Sequence, residues 1–225
     1  VVASLRDPFT TGIVYMPFGL AYAAQALRDS GAEVQVVDAF GEAPEACWRE
    51  GDFLIQGLRP QDAANRVRPG ACLIGLYAIN LLSHRSTVAL LAALKARHPG
   101  VPVAVLENAQ AVTAYSLARV AEEFFSRGAD FLVTGDLEGK LAALARALGE
   151  GRDPGDIAGV IRKGGPVGTA APVAEEGDIP EAAAWDLFPI DNYWSLRHSH
   201  GPFETDRYLP LLTSRGCPYP CTFCV

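Results

Sequence analysis

Basic residues are in short supply in this chain: 19 Lys and Arg stand against 26 Asp and Glu, giving a formal charge of −7. None of them gather into a run that would track a phosphate backbone, so nucleic acid is not an expected partner. Long apolar runs are missing too. No stretch reaches the ~18 residues of a bilayer span, and the opening VVASLRDPFT lacks the basic-then-apolar layout of a secretory signal. No membrane partner is expected, and the location is expected to be cytoplasmic. Cysteine is scarce, at five in 225 residues, and two of these, Cys47 and Cys72, stand alone. That is too sparse for a disulfide framework, so each is expected to be a buried small hydrophobe. There is no internal repeat and no low-complexity tract.

What is present is a recurrent alternation of two patterns. Five apolar, β-branched runs read as strands: VVASL (1–5), EVQVVDA (33–39), ACLIGLYAI (71–79), VPVAVLEN (101–108) and ADFLVTGD (129–136). Between them, segments 19–31, 86–100, 114–128 and 137–151 carry apolar residues at spacings of three and four, which suits amphipathic helices. Gly31, Gly100, Gly128 and Gly151 fall where left-handed helix ends belong. Strands that are apolar throughout and separated by helices imply a mostly parallel sheet covered on both faces. The expected fold is α/β, a doubly wound, Rossmann-like five-stranded sheet over residues 1–155. Residues 53–70 read as an added short strand and helix.

From about residue 152 the periodicity fades into a Gly-, Pro- and Ala-rich stretch with one plausible two-stranded ribbon around GVIRKGGPVG. Residues 156–206 therefore read as a linker or wrapping arm. Trp185, Leu187, Phe188, Tyr193 and Trp194 are too many aromatic and apolar points for a free linker, and are expected to dock on a surface. Residues 208–214 read as one more apolar strand.

That strand leads into TSRGCPYPCTFCV, where Cys217, Cys221 and Cys224 occupy eight residues. Gly216, Pro218 and Pro220 give the backbone the turning chemistry it needs to bring three thiolates onto one centre. Structural zinc takes four protein ligands, whereas three cysteines on a 4Fe-4S cluster leave one iron open for substrate or cofactor. A zinc site completed by His198 or His200, and inert thiols, are the alternatives. The chain starts with Val and ends one residue after its last cysteine, so a piece of a longer protein is expected.

The cysteine loop with its Thr-Ser-Arg-Gly lead-in resembles the cluster loop of radical S-adenosylmethionine enzymes. The resemblance implies that Cys217, Cys221 and Cys224 bind a 4Fe-4S cluster, that the open iron chelates S-adenosylmethionine, and that Phe223 lies near the adenine. An electron donor for the cluster is implied as a partner. The domain ahead, with MPFGLAYAAQALRDSG, GLRPQDAANRV and GADFLVTGDLEGKLAALARALGEG in that order, is similar to the N-terminal domain of the cobalamin-binding members. Residues 207–225 would then be the start of a radical S-adenosylmethionine barrel that continues past Val225 and binds a small-molecule or peptide substrate, so this fragment alone is expected to be inactive.

Three departures from that family stand out. No D-x-H-x-x-G follows the first strand, so no histidine is available there to coordinate cobalt. Leu106-Glu107-Asn108-Ala109 replaces the Gly-Gly-Pro-His of many relatives, putting side chains where glycine leaves room for the cobalamin nucleotide tail. Gly135-Asp136-Leu137-Glu138 only approximates the acidic turn. The implied cobalamin contacts are Tyr15, Met16, Pro17 and Gly19 before the first helix and Asn80, Leu81, Leu82 and Ser83 after the third strand. Glu107, Asn108, Ala109 and Gln110 follow the fourth strand, and Gly135, Asp136 and Glu138 the fifth. Ser83, Asn108 and Asp136 would alternatively serve only as helix caps. The activity implied is methyl transfer from methylcobalamin to an unactivated centre with a 5′-deoxyadenosyl radical. Radical cyclisation, oxidation or rearrangement is the second reading, and a cofactor-free module that orients the barrel is the third.

Overall fold

The computed structural model describes residues 2–4, 15–109, 116–165, 180–197 and 207–213. Along them run strands β1 (Val2–Ser4), β2 (Cys47–Glu50), β3 (Phe53–Gln56), β4 (Ile74–Ala78), β5 (Val103–Glu107), β6 (Phe131–Val133) and β7 (Val160–Arg162). The helices are α1 (Phe18–Asp29), α2 (Pro60–Arg66), α3 (His84–Arg97), α4 (Ala121–Ser126), α5 (Glu138–Gly149) and α6 (Ile190–Ser195).

The main sheet has the order β4-β5-β6-β7, with β4, β5 and β6 parallel and β7 antiparallel to β6. Because successive side chains on a strand point to opposite faces, β5 feeds two cores at once. Val103 and Val105 join Leu91 and Leu94 of α3 and Phe124 of α4 on one face. Ala104 and Leu106 join Ala23 of α1 and Leu141 and Leu144 of α5 on the other. This two-sided burial is the physical meaning of an apolar run without alternation. Asp130 ties the sheet's lower edge, accepting from the Val103 N–H at 2.8 Å and from Lys95 Nζ at 2.9 Å.

Two expected strands fall elsewhere. Val2–Ser4 pairs antiparallel with β3 in a separate sheet of order β1-β3-β2, not in the parallel sheet. A short apolar run has no polar alternation to say which neighbour it will pair with. Residues 33–38 carry no ladder at all. Their polar groups turn to other elements: Gln35 Nε2 donates to the Arg66 carbonyl at 2.7 Å, Gln35 Oε1 accepts from the Arg68 N–H at 2.9 Å, and Asp38 takes the Gly41 N–H at 2.9 Å. The five-stranded count is therefore replaced by a four-stranded, mixed, mostly parallel sheet plus a three-stranded antiparallel one. The added strand and helix expected at 53–70 are β3 and α2, while β2 had no clear signature. In the ribbon expected around GVIRKGGPVG, Val160–Arg162 forms a strand added to the main sheet's edge, while residues 166–168 lie outside the described residues.

Cys47 and Cys72 are exposed, not buried. Cys47 opens β2, an edge strand whose side chains are mostly exposed, and Cys72 lies in the connection leading to β4. Gly31, Gly128 and Gly151 have positive φ values of 88°, 102° and 65°, as expected of left-handed helix ends.

The aromatic arm docks as expected. Ala184 N–H donates to the Ala21 carbonyl at 3.1 Å, Asp186 pairs with Arg28 at 2.7 Å, and Asn192 Nδ2 donates to the Gly41 carbonyl at 2.8 Å. Phe188 and Tyr193 are buried, and Trp185 meets Phe188 edge-on. Residues 207–213 do not form the expected strand. Instead Trp194 Nε1 donates to the Tyr208 carbonyl at 2.7 Å, and the Leu212 N–H reaches the Tyr22 hydroxyl at 3.4 Å.

Candidate functional site

Parallel sheets present ligands to the loops beyond the carboxyl ends of their strands, where helix starts and unpaired backbone groups converge. After β4, Asn80 Oδ1 accepts the Ser83 N–H at 2.9 Å and closes the 3₁₀ turn Leu81–Ser83. That turn pushes two large apolar side chains into solvent: Leu81 is 62% exposed and Leu82 54%. Tyr15, just ahead of α1, is 42% exposed. Asn108, 8% exposed, donates from Nδ2 to the Ile79 carbonyl at 2.7 Å and so ties the ends of β4 and β5 together.

A second group of candidates converges between the starts of α1 and α5. Gly19, Glu107, Ala109, Gly135, Asp136 and Glu138 surround a crevice of about 10 Å³, with Tyr77 and Leu137 closing its walls. The Glu107 carboxylate bridges two loops: Oε1 accepts the Leu117 N–H at 2.8 Å and Oε2 the Gly135 N–H at 2.6 Å. Gly135 adopts φ 71°, and Lys140 Nζ donates to the neighbouring Thr134 carbonyl at 2.7 Å. Glu138 is 2% exposed. Burial first, and the Glu138 charge second, push the Tyr77 phenol well above its ordinary value, so it stays a neutral hydroxyl.

Beside the crevice a far larger cavity of about 940 Å³ opens. One wall is the edge of β4 that faces away from β5, from Leu73 to Tyr77; the other is the segment 34–38, with Leu20 and Ala24 of α1 between them. Tyr15, Pro17, Asn80, Leu82 and Ser83 line it as well.

Most of the predicted contacts thus divide into two groups, while Met16, 4% exposed, Leu81 and Asn108 line neither space. Gln110 and the cluster candidates Cys217, Cys221, Phe223 and Cys224 lie outside the described residues. Among the described residues no group of three or more His, Cys, Asp or Glu is placed to hold a metal ion. Of the capping alternatives, Ser83 makes no side-chain cap on α3 and Asn108 bridges two strand ends. Tyr77 is the residue the sequence reading missed. Its only signal is a polar-tipped aromatic one residue before the end of an otherwise apolar strand.

No protein-family model matches the chain, and no curated protein does. The solved structures that match include two of TsrM, a radical S-adenosylmethionine methyltransferase from Kitasatospora setae. The one with cobalamin and a 4Fe-4S cluster bound superposes with a TM-score of 0.52 at 20% identity, over 76% of this chain and 29% of that one. The one with tryptophan substrate and the analogue aza-SAM bound gives 0.48 at 20% identity, over 72% and 28%. The chain shares the fold of the matched part of TsrM and spans less than a third of that protein's length.

The residues present can be tested against a corrinoid. A corrin presents a broad, largely apolar face fringed by amides, and the uncovered Tyr15, Leu81 and Leu82 with the nearby Asn80 suit such a face. The crevice between α1 and α5 does not suit a nucleotide tail, since its volume is about that of one water.

Proposed function

We propose that this chain is the front part of a radical S-adenosylmethionine enzyme in which a corrinoid lies against the rim formed by Tyr15, Leu81 and Leu82, and that the reaction is methyl transfer. The observation that carries this reading is the uncovered apolar rim at the carboxyl end of β4, in a chain that also holds the three-cysteine loop. The TsrM fold supports it. When bound, the 4Fe-4S cluster and S-adenosylmethionine would supply a 5′-deoxyadenosyl radical and methylcobalamin a methyl group.

The chain's own residues then have defined tasks. Cys217, Cys221 and Cys224 would hold the cluster, leaving one iron open, and Phe223 would contact the adenine. Leu81 and Leu82, fixed by the Asn80 turn, exclude water from one face of the macrocycle. Substrate binding would fall to the barrel expected past Val225, and electron delivery to a separate donor.

The test is twofold. Gel filtration after incubation with hydroxocobalamin should leave a corrin absorbance on the protein. Anaerobic reconstitution with iron and sulfide should give a broad brown absorbance that Cys221→Ala removes. A colourless zinc protein, or loss of all corrin colour, contradicts the reading. The filled crevice favours one competitor, a cofactor-free module that orients the barrel, and loss of corrin colour with a normal cluster is its signature.

A further inference from the structure

The crevice between α1 and α5 is closed by the chain's own side chains in a manner that bears on which ligands the rim can hold. Leu137 and Tyr77 of its lining belong to or pack against the core cluster of Ala23, Leu106, Leu141 and Leu144. Its walls are Tyr77, kept neutral, and the nearly inaccessible Glu138. Its mouth is crossed by Glu107. An ionised carboxylate only accepts hydrogen bonds, and both Glu107 oxygens are already engaged, by the N–H groups of Leu117 and Gly135. Those are backbone donors that these loops would otherwise turn toward a ligand's phosphate or amide. Charge-assisted bonds of 2.6 and 2.8 Å are of the strong kind. Displacing the half-buried carboxylate would leave its charge without these donors.

Cobalamin differs from its simpler relative cobinamide by a lower nucleotide ending in dimethylbenzimidazole. To bury that tail here, a protein would have to open a slot where this one has room for about one water. We infer that Glu107, with Tyr77, seals the crevice against a nucleotide tail, so that the rim is a tail-indifferent corrinoid site that grips only the macrocycle. This rests on the proposed corrinoid function and narrows its ligand class to corrinoids irrespective of their lower base.

Equilibrium dialysis of the full chain against hydroxocobalamin and against diaquacobinamide, read by visible absorbance, tests it. The two dissociation constants should agree within about threefold, a difference below 1 kcal/mol. Opening the crevice with Glu107→Gly and Tyr77→Ser together should tighten cobalamin binding by about tenfold or more and leave cobinamide within about threefold. Cobalamin binding tenfold tighter than cobinamide to the unaltered chain would overturn the inference while leaving the proposed function standing, since the tail would then have found a slot, the large cavity beside β4 included. A folded double variant with no gain for cobalamin also overturns it. Retention of neither corrinoid overturns the proposed function and this inference with it. If the double variant does not fold, the comparison on the unaltered chain decides.

Discussion

The Tyr193 hydroxyl donates a 2.6 Å hydrogen bond to Oδ2 of Asp38, across 155 residues of sequence. Both residues are buried, and the other oxygen of Asp38 accepts the N–H groups of Phe40 and Gly41 at 3.2 and 2.9 Å. Phe40 packs against the Tyr193 ring with centroids 5.6 Å apart. One buried carboxylate therefore organises the turn at 38–41 and fastens the arm to it.

Tyr193→Phe should keep the ring packing and remove the donor. Loss of one bond to a buried carboxylate costs about 1–3 kcal/mol, which in a chain of this size lowers Tm by a few degrees. Differential scanning calorimetry checks this, and limited proteolysis should cut near α6 faster in the variant. An unchanged Tm with unchanged cleavage would mean that the arm is held by other contacts.

Burial raises the Asp38 pKa above its ordinary value, against the lowering effect of the Tyr193, Gly41 and Phe40 bonds. The folded chain then binds that proton more tightly than the unfolded chain. The stabilisation is fully present below the ordinary carboxylate value and is lost as pH rises through the raised one. Asp38→Asn cannot titrate. The stability difference, wild type minus Asp38→Asn, should fall with pH above about 4 in denaturant titrations. A difference that rises with pH would reverse the assignment.

Gly41 sits where these groups meet. A Cβ built on it would lie 2.5 Å from Asp38 Oδ2 and 2.5 Å from Tyr193 Cε2. Gly41→Ala should therefore force the pair apart and cost at least about as much as Tyr193→Phe, in the 1–3 kcal/mol range of overpacked sites. Combined with Tyr193→Phe it should cost less than the sum, since both act on one contact. A double-mutant cycle with zero coupling would refute the shared cause.

Leu82→Asp places a charge on the apolar rim without touching the core, because the side chain is already 54% exposed. Stability should change by less than about 0.5 kcal/mol, as at ordinary surface positions. Corrinoid retention should fall by about tenfold or more, because a carboxylate must be desolvated against the macrocycle. Equal retention by both proteins would remove the rim from the binding site.

The runs at 71–79, 101–108 and 129–136 were legible as strands from their unbroken apolar, β-branched character, and β4, β5 and β6 lie inside them; in β5 burial on both faces leaves no room for polar alternation. The helix ends at Gly31, Gly128 and Gly151 were legible because only glycine enters the left-handed region cheaply. What sequence did not reveal was pairing. Val2–Ser4 and residues 33–38 look like β4 in composition, yet one pairs with β3 and the other spends its polar groups on α2 and the arm. The rim was legible as positions following strands. The blockage by Glu107 was expected from the absent glycines, but its two backbone partners come from Leu117 and Gly135, 10 and 28 residues away, which spacing alone does not show.

The Leu212 N–H, held at the Tyr22 hydroxyl one turn into α1, sets a leash on everything downstream. Cys217 follows five residues later, and a fully stretched chain covers at most ~3.6 Å per residue, so its backbone can stray no more than about 18 Å from that anchor. Since α1 starts at the carboxyl end of the sheet, the arm serves as a short tether that keeps the cysteine-rich segment and the rim within reach of one another.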